Sequence, residues 1–241
     1  LLHSDTASPD AATVLEAGCG VGAQTVTLAR RSPGARIVSI DIAAASLAAA
    51  KTKVEAAGLA NVRFQQADIF ALPFERASFD HVFVCFVLEH LSRPLEALER
   101  LKTLLKPRGT MTVIEGDHGS TYFHPESDAA HEAIRCQVEL QRAAGGNANI
   151  GRQLYPLLRR AGPRNVRVSP RMGYVDSSRP HLVEGFTRRT FTALIEGGRD
   201  NAIRGGMISP ERFDEGIRAL YRTAEADGVF CYTFFKGIGE L

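Results

Sequence analysis

The chain has 241 residues, of which 44% are hydrophobic and 23% are charged, and its formal net charge is +2. This composition is typical of a globular protein that buries one large core, so neither a disulfide nor a metal is needed to hold the fold together. A charge so close to zero argues against nucleic acid or an anionic membrane as the partner.

The four cysteines are far apart in the sequence and have no metal-ligand spacing: Cys19, Cys85, Cys136 and Cys231. We expect reduced thiols, which are typical of a cytoplasmic protein. No apolar run approaches the ~18 residues of a membrane span, and the first residues lack a signal-peptide pattern. The sequence therefore predicts a cytoplasmic monomer or homodimer that has no membrane partner.

The first half of the chain alternates between strand and helix patterns. Strands are predicted at 13–17, 36–40, 62–65, 79–87 and 110–115, with helices at 23–31, 43–57 and 94–105. Alternating strands and helices predict a parallel, doubly wound α/β sheet. Ligands in such sheets bind beyond the carboxyl ends of the strands, so functional residues are expected just after each strand.

The second half has more helix patterns than such a sheet requires. Helices are predicted at 126–144, at 152–160 and over most of 180–227, and strands at 165–175 and 229–235. We expect residues 118–150 and 180–227 to form a helical cap over the strand ends, where a substrate would bind. Residues 10–117 are expected to form the ligand-binding core, all within a single domain that spans residues 1–241.

The clearest motif is a glycine-rich loop between the first strand and the first helix. Gly18 permits a tight turn, Gly20 allows a ligand to approach the backbone, and Gly22 removes side-chain bulk. The loop also matches the dinucleotide fingerprint GxGxxG/A through Gly18, Gly20 and Ala23. The loop alone therefore predicts a nucleotide-like ligand without choosing between NAD and S-adenosylmethionine (SAM).

Three acidic positions bear on that choice. Asp41 ends the second strand, where a carboxylate can accept hydrogen bonds from a ribose diol of either ligand. Asp68, followed by the apolar Ile69, can accept from an adenine amino group while Ile69 covers the ring. Glu16 would repel a pyrophosphate but suits a ligand with an ammonium and a sulfonium group. Alternatively, Glu16 orients the loop by accepting from backbone N–H groups.

These motifs, together with the strand Phe79-Asp80-His81-Val82, occur in the order found in class I SAM-dependent methyltransferases. Over residues 10–116 the chain resembles the branch that includes the ubiquinone/menaquinone-biosynthesis methyltransferases. The resemblance implies a Rossmann-like, seven-stranded, mostly parallel sheet whose antiparallel last strand is formed by residues 229–235. It implies SAM as cofactor and S-adenosylhomocysteine as product. It also implies a set of SAM contacts: Gly18, Gly20, Gln24, Asp41, Ile42, Asp68, Ile69, Cys85, Phe86 and His90.

The segment before the first strand is short, whereas many members of this family place helices there as a lid. We expect His3 and Asp5 to border the pocket, or the helical cap to supply the lid.

Candidate catalytic residues follow the fifth and fourth predicted strands. Glu115 or His118 can take a proton from an O–H, N–H or activated C–H acceptor, and His90 is a third candidate base. Alternatively, Asp117 caps the following helix and the histidines are surface residues. No metal is predicted, because the possible ligands have no recognised spacing: Asp117, His118, His124 and His131.

Residues expected to bind the acceptor come from the second half and the segment after Glu115. Arg152 can hold an anionic group at the start of its predicted helix, and Tyr155 and Tyr174 can wall the pocket. Asp117 and Tyr122 are expected to complete the set. The alternative is that these aromatics are core residues and Arg152 lies on the surface.

Nucleic-acid methyltransferase signatures are absent from the sequence. Amino-methyltransferases of nucleic acids place Asn/Asp-Pro-Pro-aromatic after the fourth strand, where this chain has Val-Cys-Phe-Val over residues 84–87. Cys85 follows Val rather than Pro, so it is expected to be a small buried hydrophobe and not a nucleophile. We therefore predict a SAM-dependent methyltransferase that methylates C, O or N of a small, largely apolar organic molecule.

Two alternatives remain open. One is an NAD-dependent oxidoreductase, which Glu16 and Asp68 argue against; its Tyr-x-x-x-Lys spacing occurs only from Tyr232 to Lys236, in a predicted strand. The other is a SAM-binding protein without catalysis, which the polar cluster after the fifth strand argues against.

Overall fold

The computed structural model describes residues 2–4 and 6–241, so Asp5 lies outside the described residues. The chain divides into two compact units. Unit 1 comprises residues 1–115, 151–169 and 235–241, and unit 2 comprises residues 116–150 and 170–234. The two segments expected to form the helical cap, 118–150 and 180–227, both belong to unit 2.

Seven strands form one sheet in the order β3-β2-β1-β4-β5-β7-β6. The strands are β1 Thr13–Ala17, β2 Arg36–Asp41, β3 Val62–Gln66, β4 Phe79–Cys85, β5 Leu105–His124, β6 Arg164–Asp176 and β7 Val229–Glu240. Neighbours among the first five strands pair in parallel, and the last strands are antiparallel. The predicted Rossmann-like α/β fold is confirmed.

Helices connect and flank these strands. They are α1 Thr25–Arg31, α2 Ala44–Ala56, α3 Pro94–Thr103, α4 Asp128–Ala143, α5 Leu154–Ala161, α6 Pro180–Leu182, α7 Ala193–Gly197, α8 Arg199–Arg204 and α9 Pro210–Arg222. Short 3₁₀ turns cover Leu88–His90 and Ile150–Gln153, and a π-helix covers Val183–Thr192. Among the described residues, no helix combines the length and the apolarity needed to cross a membrane.

The core of unit 1 is built on its central strands. Val14 and Leu15 of β1 and Val82 and Phe83 of β4 are fully buried, as expected for strands covered on both faces. β4 ends at Cys85, two residues earlier than predicted, because Phe86 adopts a φ of +58° that no extended strand accommodates.

β7 runs to Glu240, five residues beyond its predicted end, although Gly237 and Gly239 suggest a break. A Cβ at Gly237 would lie 2.4 Å from Leu158 Cδ1, and one at Gly239 would lie 2.7 Å from Pro163 Cβ. Both glycines therefore serve close packing within a strand, which the sequence pattern alone does not distinguish from a turn.

β5 is also longer than predicted, covering residues 105–124 instead of 110–115. Its polar stretch is paired within unit 2: His118 N donates to Ala148 O at 3.1 Å, and Thr233 N donates to Ser120 Oγ at 3.2 Å. The alternative that Asp117 caps a helix is wrong. Ser127 is the N-cap of α4, and its Oγ accepts from Ala130 N.

Unit 2 has its own core, formed mainly by aromatic side chains and by the close packing of α4 against α9. Phe123, Phe191, Phe230 and Tyr232 are buried in one cluster. A Cβ at Gly216 of α9 would lie 2.4 Å from the backbone oxygen of an α4 residue, so glycine is what permits the two helices to approach.

Candidate active site

A cavity of about 410 Å³ lies in unit 1 beyond the carboxyl ends of β1, β2 and β3. Eight of the eleven predicted cofactor contacts line it: Gly18, Gly20, Asp41, Ile42, Asp68, Ile69, Phe86 and His90. The tertiary structure adds four neighbours of these residues that sequence reasoning missed: Ala67, Phe70, Val87 and Leu91. Each is adjacent in the sequence to a predicted contact, but its residue type alone does not indicate that it binds a ligand.

Two glycines shape the loop at this cavity in different ways. Gly18 has a φ of +76°, and a Cβ there would lie 2.5 Å from Val87 Cγ2. Gly20 has a φ of +51°, and a Cβ there would have nothing within 4 Å. Gly18 therefore permits close packing inside the protein, whereas Gly20 leaves its face open to the cavity.

Asp41 connects the end of β2 to the glycine loop. Its Oδ2 accepts from Gly20 N at 2.8 Å, and its Oδ1 accepts from Ala43 N at 2.9 Å. Each carboxylate oxygen has a further lone pair, so Asp41 can still accept from a bound ligand. Asp68 is fixed in a similar way, because its Oδ1 accepts from Phe70 N at 2.8 Å.

Apolar side chains complete the lining. Ile42 is 66% exposed, which is unusual for a large apolar side chain next to a cavity. Ile69, by contrast, is buried. A flat apolar ligand group placed against Ile42 would remove its surface from water, so the pair can hold a ring.

The three other predicted cofactor contacts lie outside the lining. Glu16 is buried and accepts from Ser39 Oγ at 2.6 Å, and burial raises the pKa of its carboxyl to about 7. Gln24 Oε1 accepts from His3 Nε2 at 2.7 Å. Cys85 is buried, and desolvation raises the pKa of its thiol well above the usual value.

His3 belongs to the short segment before β1 and is buried within unit 1. Its ring stacks on Phe83 with 5.5 Å between the ring centroids. Desolvation lowers the pKa of its imidazole, opposed by the hydrogen bond to Gln24. His3 is therefore anchored beside α1, and it does not line the cavity.

Glu115, the first candidate base, is fully buried in unit 1. Its Oε1 accepts from Val87 N at 3.0 Å and from Leu88 N at 2.8 Å. Desolvation, followed by the nearby Glu89 carboxylate, raises the pKa of Glu115 to about 8. Glu115 thereby fixes the segment that carries Val87, which forms one wall of the cavity.

His118, the second candidate base, is 5% exposed in unit 2. Its Nδ1 lies 3.1 Å from Ala148 O and 3.1 Å from the Tyr232 hydroxyl. Nδ1 can donate to the carbonyl or accept from the hydroxyl, and the two contacts together hold the ring in one orientation.

His90, the third candidate base, lies at the edge of the unit 1 cavity with its side chain 66% exposed. Its Nε2 is 3.6 Å from Glu89 Oε1. The three candidate bases thus differ in surroundings: Glu115 holds backbone N–H groups, His118 is buried and oriented, and His90 faces solvent.

The predicted acceptor residues are distributed over both units. Asp117 is buried in unit 2, where Tyr122 and Tyr174 are each nearly half exposed. Tyr122 OH donates to Met172 Sδ at 2.9 Å. Arg152 and Tyr155 are exposed in unit 1, at the 3₁₀ turn and the first residues of α5.

The structure also bears on two alternatives raised by the sequence, a metal site and a Tyr-x-x-x-Lys catalytic pair. In the part of the chain that the structure describes, no group of three or more His, Cys, Asp or Glu side chains is arranged to hold a metal ion. In the Tyr-x-x-x-Lys pair, the Tyr232 hydroxyl lies beside His118, whereas Lys236 Nζ donates to Ser4 O.

Residues 8–162, which include the whole lining of the unit 1 cavity, match the family described as "Methyltransferase domain". The chain belongs to the methyltransferase-domain family. This confirms the resemblance to class I SAM-dependent methyltransferases and makes SAM the cofactor of the domain.

Individual relatives are similar to this methyltransferase domain over different lengths. Demethylmenaquinone methyltransferase of Thermus thermophilus is 39% identical over 102 residues, 42% of this chain and 46% of that protein. An uncharacterised protein of Synechococcus is 36% identical over 219 residues, 90% of this chain and 46% of that protein. The chain therefore spans about half the length of the curated relatives it matches.

Among solved structures, the YcgJ protein of Bacillus subtilis has the same fold. It superposes with a TM-score of 0.61 and 17% identity, covering 98% of this methyltransferase domain and 94% of that chain. At this level of sequence identity, the superposition shows a shared fold and does not show a shared function.

Proposed function

We propose that this protein transfers a methyl group from SAM to a small organic molecule, with SAM held in the unit 1 cavity. The observation that carries the proposal is the convergence of glycine-loop backbone, Asp41 and Asp68 on one cavity at the carboxyl ends of β1 to β3. Bound SAM supplies an electrophilic methyl group on a positively charged sulfur.

The lining suits the parts of SAM. Asp41 accepts from the ribose hydroxyls, since its carboxylate keeps lone pairs beyond those used by Gly20 and Ala43. Asp68 accepts from the adenine amino group. Ile42 and Ile69 contact the adenine ring, which would explain the exposure of Ile42.

Three residues predicted to contact SAM do not line the cavity, and in this proposal they support it from within unit 1. Glu16, bonded to Ser39, aligns β1 with β2 below the loop. Gln24 anchors the segment that carries His3. Cys85 fills space beneath the cavity, and its raised thiol pKa keeps it neutral and unreactive.

The acceptor is proposed to be a small organic molecule with an apolar part. The near-neutral charge and the lack of a nucleic-acid methyltransferase motif in residues 84–90 support this class. The similarity to demethylmenaquinone methyltransferase, which covers 42% of this chain, supports it too.

His118 is proposed as the general base where the acceptor carries a proton. Its Nδ1 contacts with Ala148 O and the Tyr232 hydroxyl hold the imidazole in a defined orientation. Glu115 is proposed as a positioning residue, because its Oε1 is used by the backbone N–H groups of Val87 and Leu88. His90 at the cavity edge is proposed to contact the cofactor.

Calorimetric titration of the whole chain with SAM, S-adenosylhomocysteine and NAD tests the cofactor. We expect both adenosyl ligands to bind and NAD to give no heat; NAD binding with silent SAM would refute the proposal. Incubation with methyl-labelled SAM and a fractionated metabolite extract tests catalysis. Labelled product from the wild type is expected, and its absence in every fraction would favour a SAM-binding protein without catalysis.

A further inference from the structure

Unit 2 contains a cavity of about 320 Å³ between β5, α4 and the segment before the 3₁₀ turn. Its lining includes His118, Arg135, Glu139 and Asn149 as polar groups and Ile134 and Val138 as apolar ones. At about 30 Å³ for a water-sized group, the volume accommodates a molecule of roughly ten heavy atoms. The cavity is therefore large enough for a small organic ligand.

Arg135 is the cation of this cavity that has no ion-pair partner among residues 2–4 and 6–241. The two acidic residues near it on α4 are already paired. Glu132 accepts from Arg212 at 2.8 Å, and Glu139 is in an ion pair with Arg142 at 2.5 Å. His131, the other basic lining residue, pairs with Glu126. Arg135 is exposed, and its guanidinium can donate to a ligand in the cavity.

Asn149 supplies a second donor. Its Oδ1 accepts from Gly119 N at 2.8 Å, which fixes the orientation of the amide because a backbone N–H can only donate. Its backbone N is held by Asn147 Oδ1 at 3.0 Å. The Nδ2 group of Asn149 is then a donor with no bond to another described residue.

We propose that the unit 2 cavity binds a small organic carboxylate, with Arg135 and Asn149 Nδ2 donating to the carboxylate and Ile134 and Val138 contacting its apolar part. A guanidinium matches the two oxygens of a planar carboxylate, and an amide donor adds direction.

The test compares two probes of equal shape and different charge, benzoate and benzamide, by NMR titration of the whole chain at constant ionic strength. We expect benzoate to bind at least tenfold more tightly than benzamide. Asn149→Asp keeps the acceptor for Gly119 N–H but replaces the donor with a negative oxygen. Both Arg135→Gln and Asn149→Asp are expected to abolish the preference, while Arg218→Gln, an exposed arginine of α9 outside the lining, keeps it.

Equal affinity for the two probes would overturn the proposal, as would an undiminished preference in Arg135→Gln. Tighter binding of phenyl phosphate than of benzoate would overturn the assignment to carboxylates. SAM titration of the same variants keeps the two proposals apart. If SAM fails to bind while benzoate is preferred through Arg135, the proposed function fails and the carboxylate site stands.

Discussion

Glu115 Oε1 accepts a hydrogen bond from Leu88 N at 2.8 Å, in a site where the carboxyl is completely buried. The same oxygen accepts from Val87 N, so one side chain of β5 determines the path of the chain that follows β4. Val87 in turn lies where a Cβ on Gly18 would be. The candidate cofactor cavity therefore depends on a buried acid that does not line it.

This burial predicts a pH-dependent stability. The pKa of Glu115 is raised to about 8 in the folded protein from an ordinary 4.5, so the folded state binds more protons between these values. The contribution of this carboxyl to the free energy of unfolding is fully present below pH 4.5 and is lost as the pH rises through 8. We expect the loss to be of order 3 kcal/mol, measured by urea unfolding from pH 5 to pH 8.

Glu115→Gln removes the titrating group and keeps an oxygen that accepts from Val87 and Leu88. It should therefore reduce this pH dependence and retain SAM binding. Glu16, with a pKa near 7, leaves a residual slope of the same sign. Glu55→Gln, on the exposed face of α2, is the control and should keep the wild-type slope. A Glu115→Gln profile identical to wild type would contradict the argument.

The two loop glycines should respond differently to alanine. In Gly18→Ala the new Cβ meets Val87, so unfolding should become easier by about 2 kcal/mol or more. In Gly20→Ala the Cβ has space, and only the positive φ costs about 1 kcal/mol. Its methyl group would project into the cavity, however, and SAM affinity should fall at least tenfold, a loss of about 1.4 kcal/mol.

Gly58→Ala is a matched control for this pair. Gly58 has a φ of +68° and open space around its Cβ, and it does not line the cavity. The Gly58→Ala variant should lose as much stability as Gly20→Ala and bind SAM with wild-type affinity, as measured by thermal unfolding and calorimetry. Normal SAM affinity in Gly20→Ala would show that the loop does not face the cofactor.

Asp41→Ala should weaken SAM binding by about 1–3 kcal/mol, because it removes charge-assisted hydrogen bonds to the ribose. It should also lower stability, since Gly20 N and Ala43 N lose their acceptors. Titration calorimetry well below the unfolding temperature separates the two effects. Arg63→Ala, which removes an exposed side chain of the neighbouring strand β3 outside the lining, should bind SAM within about 0.5 kcal/mol of wild type.

His118→Asn tests the proposed base. Asparagine keeps a polar group near the position of Nδ1 and removes the imidazole base. With an acceptor found by methyl labelling, kcat should fall by roughly 10²-fold or more while SAM affinity is unchanged. His181→Asn, an exposed histidine of α6, should leave kcat intact. Wild-type turnover in His118→Asn would exclude His118 as the base.

Much of the fold and the candidate cofactor site was predictable because both depend on local patterns. The strand and helix alternation predicted the order of elements in the first half. Residues that follow predicted strands, such as Asp41 and Asp68, come together in one cavity because parallel strands end at the same edge. The residue type and the position after a strand were sufficient to predict that Asp41 and Asp68 lie at the cavity.

Long-range partners were beyond the sequence pattern. Asp117 to Ser120 suggest a loop, and only pairing with residues far along the chain keeps them in β5. Arg135 occupies an exposed position of α4, as its charge suggests, but the sequence does not show that it lines a cavity or that Glu132 and Glu139 pair with other residues.

The sequence by itself determined a nucleotide-type loop, a Rossmann-like sheet and the acidic positions at two strand ends, since short-range spacing and backbone preference encode these features. Only the tertiary structure decided what the buried groups do. Glu115 accepts from backbone N–H groups and has a raised pKa, and His118 is held by Ala148 O and the Tyr232 hydroxyl. Desolvation and hydrogen-bond partners cause both properties, and these exist only once distant segments are packed together.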